Sequence, residues 1–291
     1  MKSLFTKLVT LSFLVIAIHS FAQDKILIIT HAFNRPDFIE LQAKTFKAFL
    51  EDDYEFVVFN DARDEKIRKE IKTVCHNLNL PCREIPSTIH HNRERPSERT
   101  SDSIQYSLEV LGFEHDGIVF VIDSDMFLLK SFSISRFLKG CDLYGCIQYR
   151  PQNVTYIWNG LVFMDMRTMP NRKTINFDCG KVNGEPVDSG GQIHHYLKNN
   201  PSLQWKHYSN THIDTLPRDR NALHSLGYND LFADFILSLN PHDPYPMEFH
   251  VEDYFLHYRA GGNWTHESIA YHNARTMHLR NFINALIKNS H

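Results

Sequence analysis

No Cys-x-x-Cys pair occurs among the five cysteines, so the ligand spacing of a structural zinc site is missing. Internal repeats and low-complexity tracts are missing too, which excludes solenoids and long disordered linkers. Excess charge is small: 31 Lys and Arg stand against 34 Asp and Glu, a net charge of -3 that gives no global attraction to nucleic acid. Long hydrophobic runs are scarce. The stretch near the N-terminus, residues 8–18, falls well short of the roughly 20 residues a bilayer-spanning helix needs. No shift of composition divides the chain, so residues 23–291 are expected to form one domain, and 42% apolar content allows that domain a sizeable core.

The short N-terminal run is preceded by Lys2 and Lys7 and followed by Ser20-Phe21-Ala22, with small residues at positions -3 and -1 of a cut after Ala22. This is the pattern of a signal peptide over residues 1–22, or of a short signal anchor associating residues 4–22 with a membrane. Export is the expectation, to a periplasm or to the lumen of the endoplasmic reticulum and Golgi. There, Cys75 could pair with Cys82 and Cys141 with Cys146, leaving Cys179 over; five reduced, buried thiols fit the spacing as well. Asn153-Val154-Thr155 and Asn263-Trp264-Thr265 are glycosylation sequons that a eukaryotic lumen would expose to modification.

Downstream, strand-like and helix-like patterns alternate. Residues 25–30, 54–59, 83–85 and 117–123 read as strands, with helical stretches at 35–50, 62–80 and 101–111 between them. A βαβαβαβ order of this kind predicts an α/β fold with a mostly parallel central sheet flanked by helices. Strand-like runs follow at 142–149, 157–164 and 251–257, and helices at 188–198 and 267–288. Residues 209–246, with scattered Pro, Asn and His, read as long loops and short helices.

The fourth strand ends in Asp123-Ser124-Asp125. Ligands of open α/β sheets gather at the carboxyl ends of strands, and two unneutralised carboxylates there are costly unless a divalent cation compensates them. Helix capping by one Asp with the other in water is the plainer alternative. Asn60 and Asp61 end the second strand and Thr30, His31 and Ala32 the first, where ligands of such sheets gather, although Asn60-Asp61 also suits a helix N-cap and turn.

Taken in order, the βαβαβ half, Asp123-Ser124-Asp125, the strand Trp158-Asn159-Gly160-Leu161-Val162-Phe163 and the late segment His257-Tyr258-Arg259-Ala260-Gly261-Gly262-Asn263-Trp264 resemble the GT-A fold of nucleotide-sugar glycosyltransferases, and within it the glycogenin-like family eight. The late segment departs from that family, with Ala260 where Gly is usual and Asn263 where Lys is usual. The resemblance implies a metal-dependent transfer of sugar from a nucleotide diphosphate sugar, a UDP-sugar by preference, to a glycan, protein or lipid. It makes Asp123, Asp125 and His257 ligands of Mn2+ or Mg2+. Ser124, Thr30, His31, Ala32, Asn60, Asp61, Arg95, Arg99, Gly261 and Gly262 become donor contacts, and Arg259 a group facing the leaving diphosphate. Asn159 would bond the donor sugar, and Asp188 the donor hydroxyls, or serve as base in an inverting reaction. Tyr156 and Trp158 are candidates for stacking on an acceptor sugar. Two alternatives remain. Val-Phe-Val-Ile-Asp-Ser-Asp also resembles the first motif of haloacid dehalogenase-like phosphatases, and a transferase fold can bind glycans or nucleotides without turnover.

Overall fold

The computed structural model describes residues 25–91, 95–262 and 268–290; the export segment and the second sequon lie outside them. Among the described residues the strands are β1 (Ile26–Ala32), β2 (Tyr54–Asn60), β3 (Cys82–Glu84), β4 (Ile118–Asp123), β5 (Met126–Leu128), β6 (Leu143–Arg150), β7 (Val154–Asp165), β8 (Gly180–Val182), β9 (Glu185–Val187), β10 (Trp205–His207), β11 (Asn210–His212), β12 (Glu248–His250) and β13 (Phe255–His257). The helices are α1 (Pro36–Phe49), α2 (Glu65–Asn77), α3 (Pro96–Val110), α4 (Ile134–Phe137), α5 (Ile193–Asn199), α6 (Arg220–Ser225), α7 (Asp230–Ser238) and α8 (Ile269–Asn289).

A seven-stranded sheet has the order β10-β6-β7-β4-β1-β2-β3, in which β7 runs against both its neighbours and the other pairings are parallel. The expected α/β architecture with a mostly parallel sheet is therefore the one observed. Its central strands are apolar on both faces because both are covered. Ile26 and Ile28 of β1 and Ile118, Phe120 and Ile122 of β4 enter one core, while Leu27, Ile29, Val119 and Val121 enter the other. Phe120 stacks on Phe163 of β7, ring centroids 4.4 Å apart.

Local chemistry sets the helix ends. Pro36 opens α1, where its missing N–H costs nothing, and the Asp64 carboxylate caps α2 by accepting from the N–H groups of Lys66 and Ile67. A second, antiparallel sheet, β11-β12-β13-β5, packs through Phe127, Phe249, Leu256 and Tyr258 into a third core shared with α1, α7 and α8. Because β5 follows β4 after a two-residue turn, this small sheet hangs directly from the end of the large one.

Two local expectations differ. The strand read over 251–257 is shorter: Val251, Glu252 and Asp253, all at positive φ, belong to the turn that follows β12, and β13 begins at Phe255. The helix read from Asp188 begins at Ile193, after a tight turn at Gly190 (φ 86°), where a Cβ would strike the Ile157 carbonyl oxygen at 2.2 Å. Of the two readings open for the cysteines, free thiols are the one observed at all five. Instead of pairing with Cys146, the Cys141 thiol donates to the carbonyls of Leu143 and Gln204. No helix of the described residues is long and apolar enough to cross a membrane.

Candidate metal and nucleotide site

The turn from β4 into β5 presents Asp123, Ser124 and Asp125. It is held from α1 by Gln42, whose Nε2 donates to the Asp123 carbonyl at 2.8 Å and to the Met126 carbonyl at 3.0 Å. Burying an amide on the core face of a helix is costly unless it is bonded; these two bonds satisfy the nitrogen, while Gln42 Oε1 has no partner among the described residues. Strand register then supplies the imidazole. β13 pairs with β5 so that His257 lies opposite Met126, and its Nε2 comes 3.5 Å from Asp125 Oδ1.

The chain beyond β13 closes over Asp125. The Tyr258 N–H donates to the Asp125 carbonyl at 2.8 Å, and the Gly261 N–H to its Oδ2 at 2.9 Å. Arg259 and Ala260, at φ 57° and 54°, turn the backbone back to make the second bond. A Cβ at Gly261 would sit 2.7 Å from the Asp125 Cβ and 2.9 Å from Oδ2, so glycine is what permits the approach.

Charge in this pocket is lopsided. Burial, and after it the charge of Asp125, push the Asp123 carboxyl up to about 7. Burial also opposes ionisation of Asp125, yet the His257 imidazolium and the Gly261 N–H hold it below the usual carboxylate range. Burial disfavours the imidazolium of His257, but Asp125 and Glu248 outweigh it and raise the group to about 9. One ligand atom from each of Asp123, Asp125 and His257 lies within 4.8 Å of the others. Two carboxylates and an imidazole at that spacing, one carboxyl driven towards its neutral form by burial and its neighbour, fit a divalent cation.

Beside them opens a cleft of about 440 Å³, in the range of small-molecule sites. His31, Phe33, Asp61, Arg63, Pro96, Arg99, Thr100, Ser103, Asp123, Ser124, Asp125, Ala260 and Gly262 line it. His31 is kept neutral by burial, its pKa lowered to about 3, and its Nε2 lies 2.9 Å from Ser107 Oγ. Asp61 is the hub of a polar cluster: Oδ1 lies 2.8 Å from His90 Nε2 and accepts from Arg99 at 2.9 Å, and Oδ2 accepts from Ser103 at 3.2 Å. The other nitrogen of His90 is 3.3 Å from Asp102.

Of the residues singled out in sequence, Asp123, Asp125 and His257 come together, and His31, Asp61, Arg99, Ser124 and Gly262 face the cleft. Gly261 meets Asp125 through its N–H, and Asn159 Nδ2 lies 3.5 Å from Asp123 Oδ1. Others are placed elsewhere. Asn60 is fully buried and folds its amide back onto the Arg68 carbonyl and the Ala62 N–H. Thr30 and Ala32 are inside the sheet, and Arg95 is an exposed residue at the start of α3. Arg259 turns away to Glu248, Nε to Oε1 3.0 Å. Asp188 is exposed and accepts from the Ser189 N–H, though its charge still reaches Asp123. Tyr156 is wholly buried and so not open to stack on a sugar, while Trp158, half-buried, lies against the imidazoles of His250 and His257.

Sequence reasoning missed Gln42, Phe33, Arg63, Ser103 and Glu248. Only Gln42 left a signal, as a polar residue on the apolar stripe of α1.

No protein-family model matches the chain, and no curated protein sequence does. Among solved structures it is similar to the mannosyltransferase PcManGT from Pyrobaculum calidifontis in complex with GDP-Man and Mn2+, at 12% identity and TM-score 0.43 over 64% of this chain and 55% of that one. It is similar to the galactosyltransferase LgtC in complex with donor and acceptor sugar analogues, at 16% identity and TM-score 0.36 over 48% of this chain and 58% of that one. A third is glucosyl-3-phosphoglycerate synthase from Mycobacterium tuberculosis with Mn2+, UDP and glucosyl-3-phosphoglycerate, at 13% identity and TM-score 0.37 over 63% and 69%. The chain thus spans less than two thirds of the length of the first two.

Proposed function

We propose that the chain is a metal-dependent glycosyltransferase of GT-A type that moves a sugar from a nucleotide diphosphate sugar, a UDP-sugar by preference, to a glycan, protein or lipid acceptor. The observation that carries this reading is the meeting of Asp123, Asp125 and His257 at the edge of a cleft also lined by Arg63 and Arg99. The three would hold Mn2+ or Mg2+, and the nitrogen ligand favours Mn2+. When bound, such an ion offsets the charge of the departing diphosphate.

The chain's own groups do the rest. Asn159 steadies the Asp123 carboxylate, and the Gly261 N–H with its turn fixes Asp125. Arg99, anchored on Asp61, offers a fixed cation to the donor's anionic part, where a preorganised charge needs no reorganisation. Asp188 would serve as base if the transfer inverts configuration. An export signal over residues 1–22, cleaved or kept as an anchor, ahead of one catalytic domain over 23–291 belongs to the same proposal and sets the work outside the cytosol.

The test is a hydrolysis screen over common nucleotide sugars with Mn2+, with Asp125→Ala as control. Turnover of one or more donors that Asp125→Ala lowers at least about 100-fold is expected, the scale of removing a charge-stabilising group. Activity that survives the substitution, or turnover of a simple phosphate ester instead, would overturn the reading.

A further inference from the structure

A carboxylate outside the cleft collects an unusual number of partners. Glu248, on β12, is buried, and its Oε1 takes Arg259 Nε at 3.0 Å with His212 Nε2 at 3.5 Å. Its Oε2 lies 3.1 Å from His250 Nε2 and 3.6 Å from His257 Nδ1. Register puts it there: in the antiparallel pair β12·β13, Glu248 stands directly opposite His257.

His257 therefore sits between two acids, with Nε2 towards Asp125 and Nδ1 towards Glu248. Nδ1 is buried and has no hydrogen-bond partner among the described residues. A buried ring nitrogen without a partner is costly, and Glu248 is the acceptor within reach after a closure of about half an ångström. Trp158 lies across both imidazoles, with centroids 5.6 Å from His250 and 5.3 Å from His257, limiting how far His257 can swing. Gly160 makes room for that indole, since a Cβ there would meet it at 2.0 Å. The cluster Glu248, His250 and His257 has metal-ligand spacing of its own, but the Arg259 guanidinium already balances Glu248 and opposes a second cation.

We infer that Glu248 is the positioning residue of the metal site: it accepts a hydrogen bond from the Nδ1–H of His257, fixes the tautomer that leaves the Nε2 lone pair facing Asp123 and Asp125, and so sets the affinity for the divalent ion. The inference rests on the metal-dependent reading above. Orienting carboxylates of this kind change metal affinity by roughly 10- to 100-fold when altered.

The experiment is calorimetric titration of the full chain with Mn2+ in the absence of donor, for wild type, Glu248→Gln, His257→Ala and the double variant, with circular dichroism of each. Glu248→Gln is expected to weaken Mn2+ by about 10- to 100-fold with the fold retained, and to change nothing further once His257 is Ala. Nitrogen-15 spectra of the wild type with Mg2+ should report the Nδ1–H tautomer for His257, a readout that needs no variant to fold. Unchanged Mn2+ affinity in Glu248→Gln, additive losses in the double variant, or an Nε2–H tautomer would each overturn the inference while leaving the glycosyltransferase reading in place. A wild type that binds no Mn2+ would overturn both.

Discussion

At the scale of single residues, the site is a contest between burial and charge. Asp123 and Asp125 are separated by one residue, yet one is pushed towards protonation and the other held ionised, because His257 and the Gly261 N–H both serve Asp125. Gly261→Ala should therefore act on the metal, not only on the fold: the new Cβ collides with Asp125. We expect a loss of about 1–3 kcal/mol in denaturant melts, the usual cost of overpacking, together with weaker Mn2+ binding by calorimetry. An unchanged Mn2+ affinity would show that the Asp125 carboxylate does not need this turn.

The acidic pair and its distant imidazole were legible in sequence because an apolar strand, a fixed Asp-x-Asp and a late Gly-Gly segment mark them. Glu248 was not legible, since its role comes from standing opposite His257 across a strand pair, a register that no local pattern announces. Asn60 follows the turn reading, not the ligand one, because its side chain mimics a backbone turn through the Ala62 N–H, a habit of Asn at strand ends.

Elements were legible where their burial was regular. β1, β2 and β4 read as strands because both faces are covered, α1 as a helix because Pro36 marks its start, and α2 by its charged helical pattern, although it starts at Glu65, capped by Asp64, and not at the expected 62. Residues 251–257 read as strand throughout because the turn between β12 and β13 places Val, Glu and Asp at positive φ with no glycine to signal it. Between α1 and α8, Asp37 accepts from Arg280 at 3.1 Å and from Arg35, whose Nη2 is 2.7 Å away. Burial opposes its charge, but these two guanidinium groups win and lower the carboxyl below its ordinary 3.8. A depressed carboxylate contributes stability that is full above the unfolded value and lost as pH falls through the folded one. Asp37→Asn should thus cost about 1 kcal/mol at neutral pH, the group being part-exposed, and progressively less below about pH 4, as chemical melts at several pH values would reveal. A cost independent of pH would mean that packing, not charge, ties the helices.

At the scale of the whole molecule, the two sheets are joined by two short links, β10 to β11 and the turn from β4 to β5. Phe120 packs beneath it against Phe163, Phe46 and Phe255, so Phe120→Ala should cost about 3–5 kcal/mol, measured by urea unfolding. Ligand linkage supplies a complementary check: Mn2+ at about 100 times its dissociation constant should add about 2.7 kcal/mol to the wild type and nothing to Asp125→Ala.

The pairing of β5 with β13 also carries a temporal consequence. The two acids are made early in synthesis and the imidazole far later, and the strand that bears it docks only after α7 and β12 exist. A growing polypeptide on the ribosome, or one clipped ahead of His257, would carry the carboxylates without their nitrogen partner. The cluster of two carboxylates and one imidazole would then be completed late in translation, when β13 pairs with β5.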